Sequence, residues 1–498
     1  MNTNLLNFSI DKLMQTSGVT FGTSGARGLV TNMTDQVCYA YTLGFLQYLN
    51  QTESGAATTG LVGIAGDLRP STPRIMAACA QAVADFGLQP INCGFIPTPA
   101  ITLWGIKQNI PTLMITGSHI PDDRNGIKFN DATGEILKDD EAGIRLQHVN
   151  LPAANFAPDG ALLNPNTEFL STVNFDANLA YQRRYLDFFP AQCLSGMRIG
   201  LYQHSSVSRD ILYTILTKLG AVVTPLNRSE QFIPVDTEAV RAEDRDLARA
   251  WAASQQFDCI VSTDGDGDRP LIADENGAWL RGDIVGILTA RYLGINVVAT
   301  PVSSNTALEL SGWFSKINRT RIGSPYVIVS MAKAVTAGLA PVAGYEANGG
   351  FLLANSLLHN GRSLAALPTR DAVIVILSLL LFARECGGSI SQLVQTLPQR
   401  YTASGRLQNF PIEISHKRIA ELTANAELRH NEFIASFDRI HQVNTIDGLR
   451  MTFENKEILH LRPSGNAPEL RVYAEADAPM RAEAMVQKSL KILEGWRS

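Results

Sequence analysis

Short apolar runs, glycine-rich polar turns and alanine-rich segments of helical spacing follow one another along most of the chain. Leu61–Ala65 reads as a buried strand and is followed by the turn residues Gly66 to Ser71. Arg74–Phe86 then carries helical spacing, Pro90–Phe95 reads as the next strand, and Thr112–Ile115 as another. Strand, turn, helix, strand is the pattern of a mostly parallel sheet covered by helices. The rhythm returns with a strand at Met197–Tyr202, a helix at Asp210–Leu219 and a strand at Cys259–Ser262. It returns again with Val297–Thr300, Val327–Gly338 and a helix starting at Ala372. No repeat of residue identity accompanies it, so three related α/β units are compatible with the pattern rather than demanded by it. The last hundred residues differ: strand-like Leu449–Phe453 and Ile458–Leu461 precede a helix-compatible tail, Met480–Trp496, as in an α+β domain. Leu151–Pro165, rich in Pro, Ala and Asn, is the natural linker between the first unit and the rest.

Composition narrows the class. The 498 residues are 45% apolar and 18% charged, a globular balance with room for three or four domains. A net charge of −5 argues against a nucleic-acid binder or a protein held to anionic membrane. The run Ala372–Ala383 is interrupted by Ser378 and flanked by Asp371 and Arg384, so it reads as a buried helix rather than a span. The N-terminal residues lack the basic start and apolar core of a signal peptide. Six scattered cysteines form no C-x-x-C pair, which fits a reducing compartment. A cytoplasmic protein is expected.

Four clusters carry chemistry. Thr116-Gly117-Ser118-His119-Ile120-Pro121 follows an apolar strand and continues to Lys128. A serine on such a turn can carry a phosphoryl group if donors such as His119, Lys128 and backbone N–H groups surround it; it can equally cap the next element. Asp264-Gly265-Asp266-Gly267-Asp268-Arg269 follows a strand. Three carboxylates at alternate positions can converge on one hard cation. The same spacing matches part of an EF-hand, but Arg269 stands where that loop needs glycine, Pro270 follows, and the approach is a strand. Gly344 to Gly350 offers Glu346 and Asn348 between glycines, suited to sugar hydroxyls or to a plain polar loop. Arg462-Pro463-Ser464-Gly465-Asn466-Ala467-Pro468, with Arg471, can clamp a phosphate or form a surface turn. Gly22 to Gly28, with Arg27, and Arg69 are compatible with anion contacts; either can equally be a plain turn, and Arg69 is not expected among the site residues.

Together these clusters resemble the α-D-phosphohexomutase family, which includes phosphomannomutases and phosphoglucomutases. Thr23 to Gly28 matches its opening Thr-Ser-Gly-x-Arg-Gly segment. Ser118, His119, Pro121 and Lys128 match its phosphoserine loop, with Gly117 in place of alanine and Ile120 in place of asparagine. Asp264, Asp266, Asp268 and Arg269 match its metal loop. Asn348 replaces the serine of its sugar loop, and Asn466 and Ala467 depart from its closing phosphate loop. The order covers nearly the whole chain.

The resemblance implies three related α/β domains with mixed, mostly parallel sheets and a C-terminal α+β domain around a central cleft. The expected divisions are 1–165 with the phosphoserine loop, 166–278 with the metal loop, 279–395 with the sugar loop and 396–498 with the phosphate loop. It further implies a phosphohexomutase, with mannose phosphate the first choice of substrate and glucose or glucosamine phosphate behind it. Ser118 would carry the phosphoryl group beside Mg²⁺ held by Asp264, Asp266, Asp268 and a phosphoserine oxygen, with a sugar 1,6-bisphosphate as activator. Lys128 would give acid/base support, with His119, Arg27 and Arg269 beside the transferred group. Glu346 and Asn348 would hold sugar hydroxyls, and Arg462, Ser464, Gly465, Asn466 and Arg471 the non-reacting phosphate. The expected partner is a hexose phosphate, with no nucleic acid or membrane, on a monomer or homodimer. The rivals are a phosphatase using the same serine and a non-catalytic sugar-phosphate sensor.

Overall fold

A computed structural model of the chain describes residues 5–52, 59–464 and 468–497. Its first large sheet has Gln89–Phe95, Leu61–Gly66, Thr112–Ile115 and Arg124–Asp131 side by side. The first three run parallel, and the fourth turns back antiparallel. Ala26–Leu29 and Thr20–Phe21 extend that edge, and Gly134–Glu135 also pairs with Arg124–Asp131. Leu61–Gly66 and Thr112–Ile115 are almost wholly apolar because helices cover both faces of a parallel sheet. Thr72–Asp85 and Thr98–Gln108 supply such helices, each with proline in its first turn, where a missing N–H costs nothing.

The second sheet orders Val222–Arg228, Arg198–His204, Cys259–Thr263 and Pro270–Ala273; the third orders Lys316–Thr320, Val297–Pro301, Val342–Tyr345 and Phe351–Leu353. In each, as in the first, the earliest of the four strands lies second, its two neighbours are parallel to it, and the last strand returns antiparallel. The rhythm of the sequence is therefore one topology used three times. Its consequence is positional. Ser118, the three aspartates and Glu346 all lie on the turn between the third and fourth strands of their unit.

The C-terminal sheet is antiparallel throughout, ordered Tyr401–Gln408, Glu469–Ala476, Ile458–Pro463, Leu449–Phe453 and Ile440–Asn444. It has its own core, to which Leu459, Val472 and Met485 contribute. The first three units instead share one, containing Ile101, Leu201, Val298 and the helix Ala372–Glu385. That helix starts where Asp371 accepts from Ile374 N and from the hydroxyls of Tyr181 and Tyr185. The segment after Pro152 lies on the first unit: Leu5–Ser9 pairs with His148–Pro152, and Phe156 is buried in that unit's second core. No described helix is long and apolar enough to cross a membrane, and all six cysteines are free.

Because Leu377 is fully buried in the core to which all three units contribute, Leu377→Ala should lower unfolding stability by about 2–5 kcal/mol. Urea unfolding followed by circular dichroism checks this; an unchanged midpoint would show that the shared core does not depend on this helix.

Candidate active site

The serine loop is held from below. At the end of Thr112–Ile115, Thr116 donates to Asp67 Oδ2 at 2.7 Å and accepts from Ser118 N at 2.7 Å. Ser118 adopts φ +58°, a left-handed conformation rare for a residue with a side chain and one that persists only where neighbours enforce it. The enforcing residue is Arg69. Paired with Asp67 and only 1% exposed, it donates to the carbonyls of Ser118 at 2.9 Å and Ile120 at 2.5 Å. The sequence reading of Arg69 as a plain turn residue does not show this supporting role. A turn arginine looks the same in sequence whether it faces water or supports a loop almost fifty residues away. Arg69 also explains the glycine at 117, where a Cβ would stand 2.8 Å from the guanidinium carbon. Phe232, from the second unit, lies over the other face of Arg69 at 4.0 Å.

The aspartate loop meets the serine directly. Asp264, Asp266 and Asp268 are fully buried, with carboxylate oxygens within 4.8 Å of one another. Ser118 Oγ donates to Asp264 Oδ2 at 2.7 Å. Lys128 Nζ donates to Asp266 Oδ2 at 2.6 Å and Asp268 Oδ2 at 2.7 Å, while Thr98 donates to Asp266 Oδ2. The second oxygens, Asp266 Oδ1 and Asp268 Oδ1, are buried without a hydrogen-bond partner. Buried acceptors left open in this way are costly unless something occupies them. With Asp264 Oδ2 beside the serine, they form an all-oxygen donor set suited to a hard divalent cation. Burial, then the charges of Asp266 and Asp268, push the Asp264 carboxyl well above its usual range. Burial acts on Asp266 in the same direction, but Lys128 outweighs it and holds that carboxyl low. Lys128 itself loses by burial, yet Asp266 and Asp268 raise it, so it is protonated.

Around this centre, Arg269 donates to His119 Nδ1 at 2.9 Å and stands 3.7 Å from Asp268 and 3.8 Å from Asp264. Burial and then Arg269 hold His119 neutral, so its Nε2 carries the proton. Arg27 is lowered to about 10 by burial and then by Arg269. It makes no ion pair with a carboxylate among the described residues. Glu346 and Asn348 are buried on the neighbouring turn. Asn348 Oδ1 accepts from Gly350 N, and its carbonyl accepts from Thr237 Oγ1, which ties that turn to the second unit.

The C-terminal cluster stands apart. Arg462 Nε donates to Asp447 Oδ2 at 2.9 Å, and the same oxygen accepts from Ile322 N at 2.9 Å, docking this unit on the third. Arg471 pairs with Glu469, and Ser464 is buried with its N–H on the Glu469 carbonyl. Gly465 and Asn466 lie outside the described residues. Among the described residues, no hydrogen bond joins Arg462 or Arg471 to the Ser118 cluster.

Comparison with known proteins places the chain in a family. Family models for phosphoglucomutase/phosphomannomutase match at four places: α/β/α domain I over residues 18–149, II over 181–277, III over 281–401 and the C-terminal domain over 417–491. This chain belongs to the phosphoglucomutase/phosphomannomutase family, the α-D-phosphohexomutases. It is accordingly an enzyme of the mutase class. A phosphomannomutase of Salmonella muenchen is 46% identical over 476 residues, covering 95% of each chain. One of Sinorhizobium fredii (strain NBRC 101917 / NGR234) is 44% identical over 478 residues, covering 96% of this chain and 99% of that one. The solved phosphoglucomutase/phosphomannomutase family protein of Burkholderia thailandensis shares the fold, with TM-score 0.71 and 19% identity, covering 97% of this chain and 98% of that one.

Beyond the family's motifs, sequence reading missed Asp67, Asp447 and Arg370. Arg370 is 3% exposed and reaches Asp268, Glu346 and Ser24. The one available signal was a charged pair, Arg370-Asp371, directly before the most apolar helix of the chain.

A proton and a cation compete for Asp264, whose proton affinity is raised. Divalent-cation affinity should therefore be full above that raised value and fall as pH drops through it, by up to about tenfold per pH unit. Calorimetric Mg²⁺ titrations across a pH series check this; affinity unchanged down to the ordinary carboxylate range would remove the assignment.

Proposed function

We propose that this enzyme interconverts hexose 1-phosphate and hexose 6-phosphate, with mannose phosphate as its first substrate, through phosphorylated Ser118. The observation that carries the reading is the 2.7 Å contact of Ser118 Oγ with Asp264, beside two open carboxylate oxygens. A serine so placed can hold a phosphoryl group whose charge a cation offsets, and positioning with charge neutralisation accounts for most of such catalysis. The mannose preference is supported by the two phosphomannomutases that match nearly the whole chain at 46% and 44% identity.

Asp264, Asp266 and Asp268 would hold Mg²⁺, which supplies Lewis-acid polarisation of a phosphoryl oxygen. The remaining steps belong to the chain. Arg27, Arg269 and the Nε2–H of His119 bind the phosphoryl oxygens. The substrate's free hydroxyl attacks the phosphorus as the bond to Ser118 Oγ breaks. Lys128 supports the proton movement that this exchange requires. The product is a sugar bisphosphate, which turns in the cleft and returns its other phosphate to Ser118. A sugar 1,6-bisphosphate from solution would activate unphosphorylated enzyme in the same way. Glu346 and Asn348 hold sugar hydroxyls. Arg462, Ser464 and Arg471, with Gly465 and Asn466, hold whichever phosphate is not reacting, and release of Arg462 from Asp447 frees it for that role. A cytoplasmic location accords with six free cysteines.

A coupled assay tests this with mannose 1-phosphate, glucose 1-phosphate and glucosamine 1-phosphate, each with Mg²⁺ and the matching bisphosphate. A 6-phosphate product is expected, with mannose giving the highest kcat/KM. A preference for glucose or glucosamine would reassign the substrate, and inorganic phosphate without isomer would favour a phosphatase. Ser118→Ala should lower mutase activity by more than about a thousandfold even with bisphosphate present; substantial residual turnover would rule out the carrier role. Arg462→Ala should raise KM by about 10- to 100-fold and leave Ser118 phosphorylation intact. An unchanged KM would remove the clamp assignment.

A further inference from the structure

We infer that Arg370 is a positioning residue that couples cation binding at the aspartates to sugar binding at Glu346. Its backbone is fixed: Asp371 N donates to the Phe351 carbonyl at 2.9 Å, and the Asp371 side chain caps the helix Ala372–Glu385. From that platform the guanidinium reaches three units. Nε donates to Asp268 Oδ2 at 3.0 Å, Nη1 to Glu346 Oε2 at 3.0 Å and Nη2 to Ser24 Oγ at 3.3 Å. A planar fork holds these three acceptors from diverging donors in fixed relative positions, which an ammonium on a flexible stem does not. The sugar loop makes room for it at Gly350, where a Cβ would stand 2.5 Å from Arg370 Cγ and Cδ.

Each acid is left with one oxygen committed and one open. Asp268 Oδ2 is shared by Arg370 and Lys128, and its buried Oδ1 accepts no hydrogen bond, with only Arg269 Nε near it at 3.7 Å. Glu346 Oε2 is bound by Arg370, and its Oε1 has no hydrogen-bond partner among the described residues. One guanidinium thus sets which oxygen of Asp268 faces the cation position and which oxygen of Glu346 is free for a sugar hydroxyl. Lys128 cannot do the same, because its contacts are Thr98, Asp266 and Asp268, none of them in the sugar loop.

Asp268 would hold Arg370 less strongly if it shared its charge with a divalent cation, and the guanidinium would then bind Glu346 more firmly. The sugar-binding orientation of Glu346 is thereby firmed, and the coupling works equally in reverse. The inference rests on the proposed reading to the extent that the ligand at Glu346 is a hexose phosphate.

The test is calorimetry on the full-length protein. Mg²⁺ affinity is measured alone, with saturating inorganic phosphate, and with saturating mannose 1-phosphate. Inorganic phosphate reports the direct attraction between phosphate and cation, so the sugar-specific gain is the difference between the last two. That gain should be about 5- to 10-fold in the unaltered protein. It should vanish in Arg370→Gln, while the gain from inorganic phosphate persists. Arg370→Lys retains the buried positive charge, protecting the fold, but should also lose the sugar-specific gain because it lacks the fixed fork that orients both acids at once. A sugar-specific gain kept within twofold in either variant overturns the inference, as does its absence from the unaltered protein. If mannose, glucose and glucosamine 1-phosphates all fail to bind the unaltered protein, the proposed function falls as well.

Discussion

Three carboxylates buried within 4.8 Å of one another are the constraint around which this protein is arranged. Each like-charge pair costs on the order of 3 kcal/mol at an effective dielectric near 20, before desolvation is counted. Such a group persists only where cations are built in around it. Lys128 comes from the first unit, Arg269 from the aspartate loop itself and Arg370 from the third unit. The balance is deliberately incomplete in geometry, since two carboxylate oxygens stay open. The electrostatic need that draws the three units together is also what leaves a place for a cation beside the serine.

That arrangement explains why one topology is used three times. Each unit delivers a functional turn at the same place, between its third and fourth strands, where an apolar parallel strand ends and an antiparallel partner returns. The turns need rigid supports, and each has one. Arg69 and Asp67 hold the serine loop, Ser118 and local backbone N–H groups engage Asp264, and Arg370 with Thr237 holds the sugar loop. The C-terminal unit follows another rule. It has a separate core and reaches the third unit through Asp447, a contact that engages the same arginine proposed to bind phosphate.

Much of this was legible in the chain because its causes are local. Apolar runs such as Leu61–Gly66 and Thr112–Ile115 read as strands covered on both sides, and the apolar run within Ala372–Glu385, broken at Ser378, calls for burial. The Asp-Gly-Asp-Gly-Asp spacing announces its chemistry because carboxylates that crowded call for a positive charge. What sequence could not supply was the identity of the supporting residues. Arg69 reads as a plain turn residue, and Arg370 and Asp447 carry no motif, because each also engages a partner far away in the chain.

The sequence by itself determined the elements, the order of the functional loops and the chemistry each can perform, since propensity, periodicity and residue type are properties of short segments. Only the tertiary structure decided which oxygen of Asp266 and of Asp268 stays open, why glycine stands at 117, and which arginine joins the cation position to the sugar loop. Those outcomes depend on how buried charges from separate units are matched in space, and that matching exists only once the units have packed.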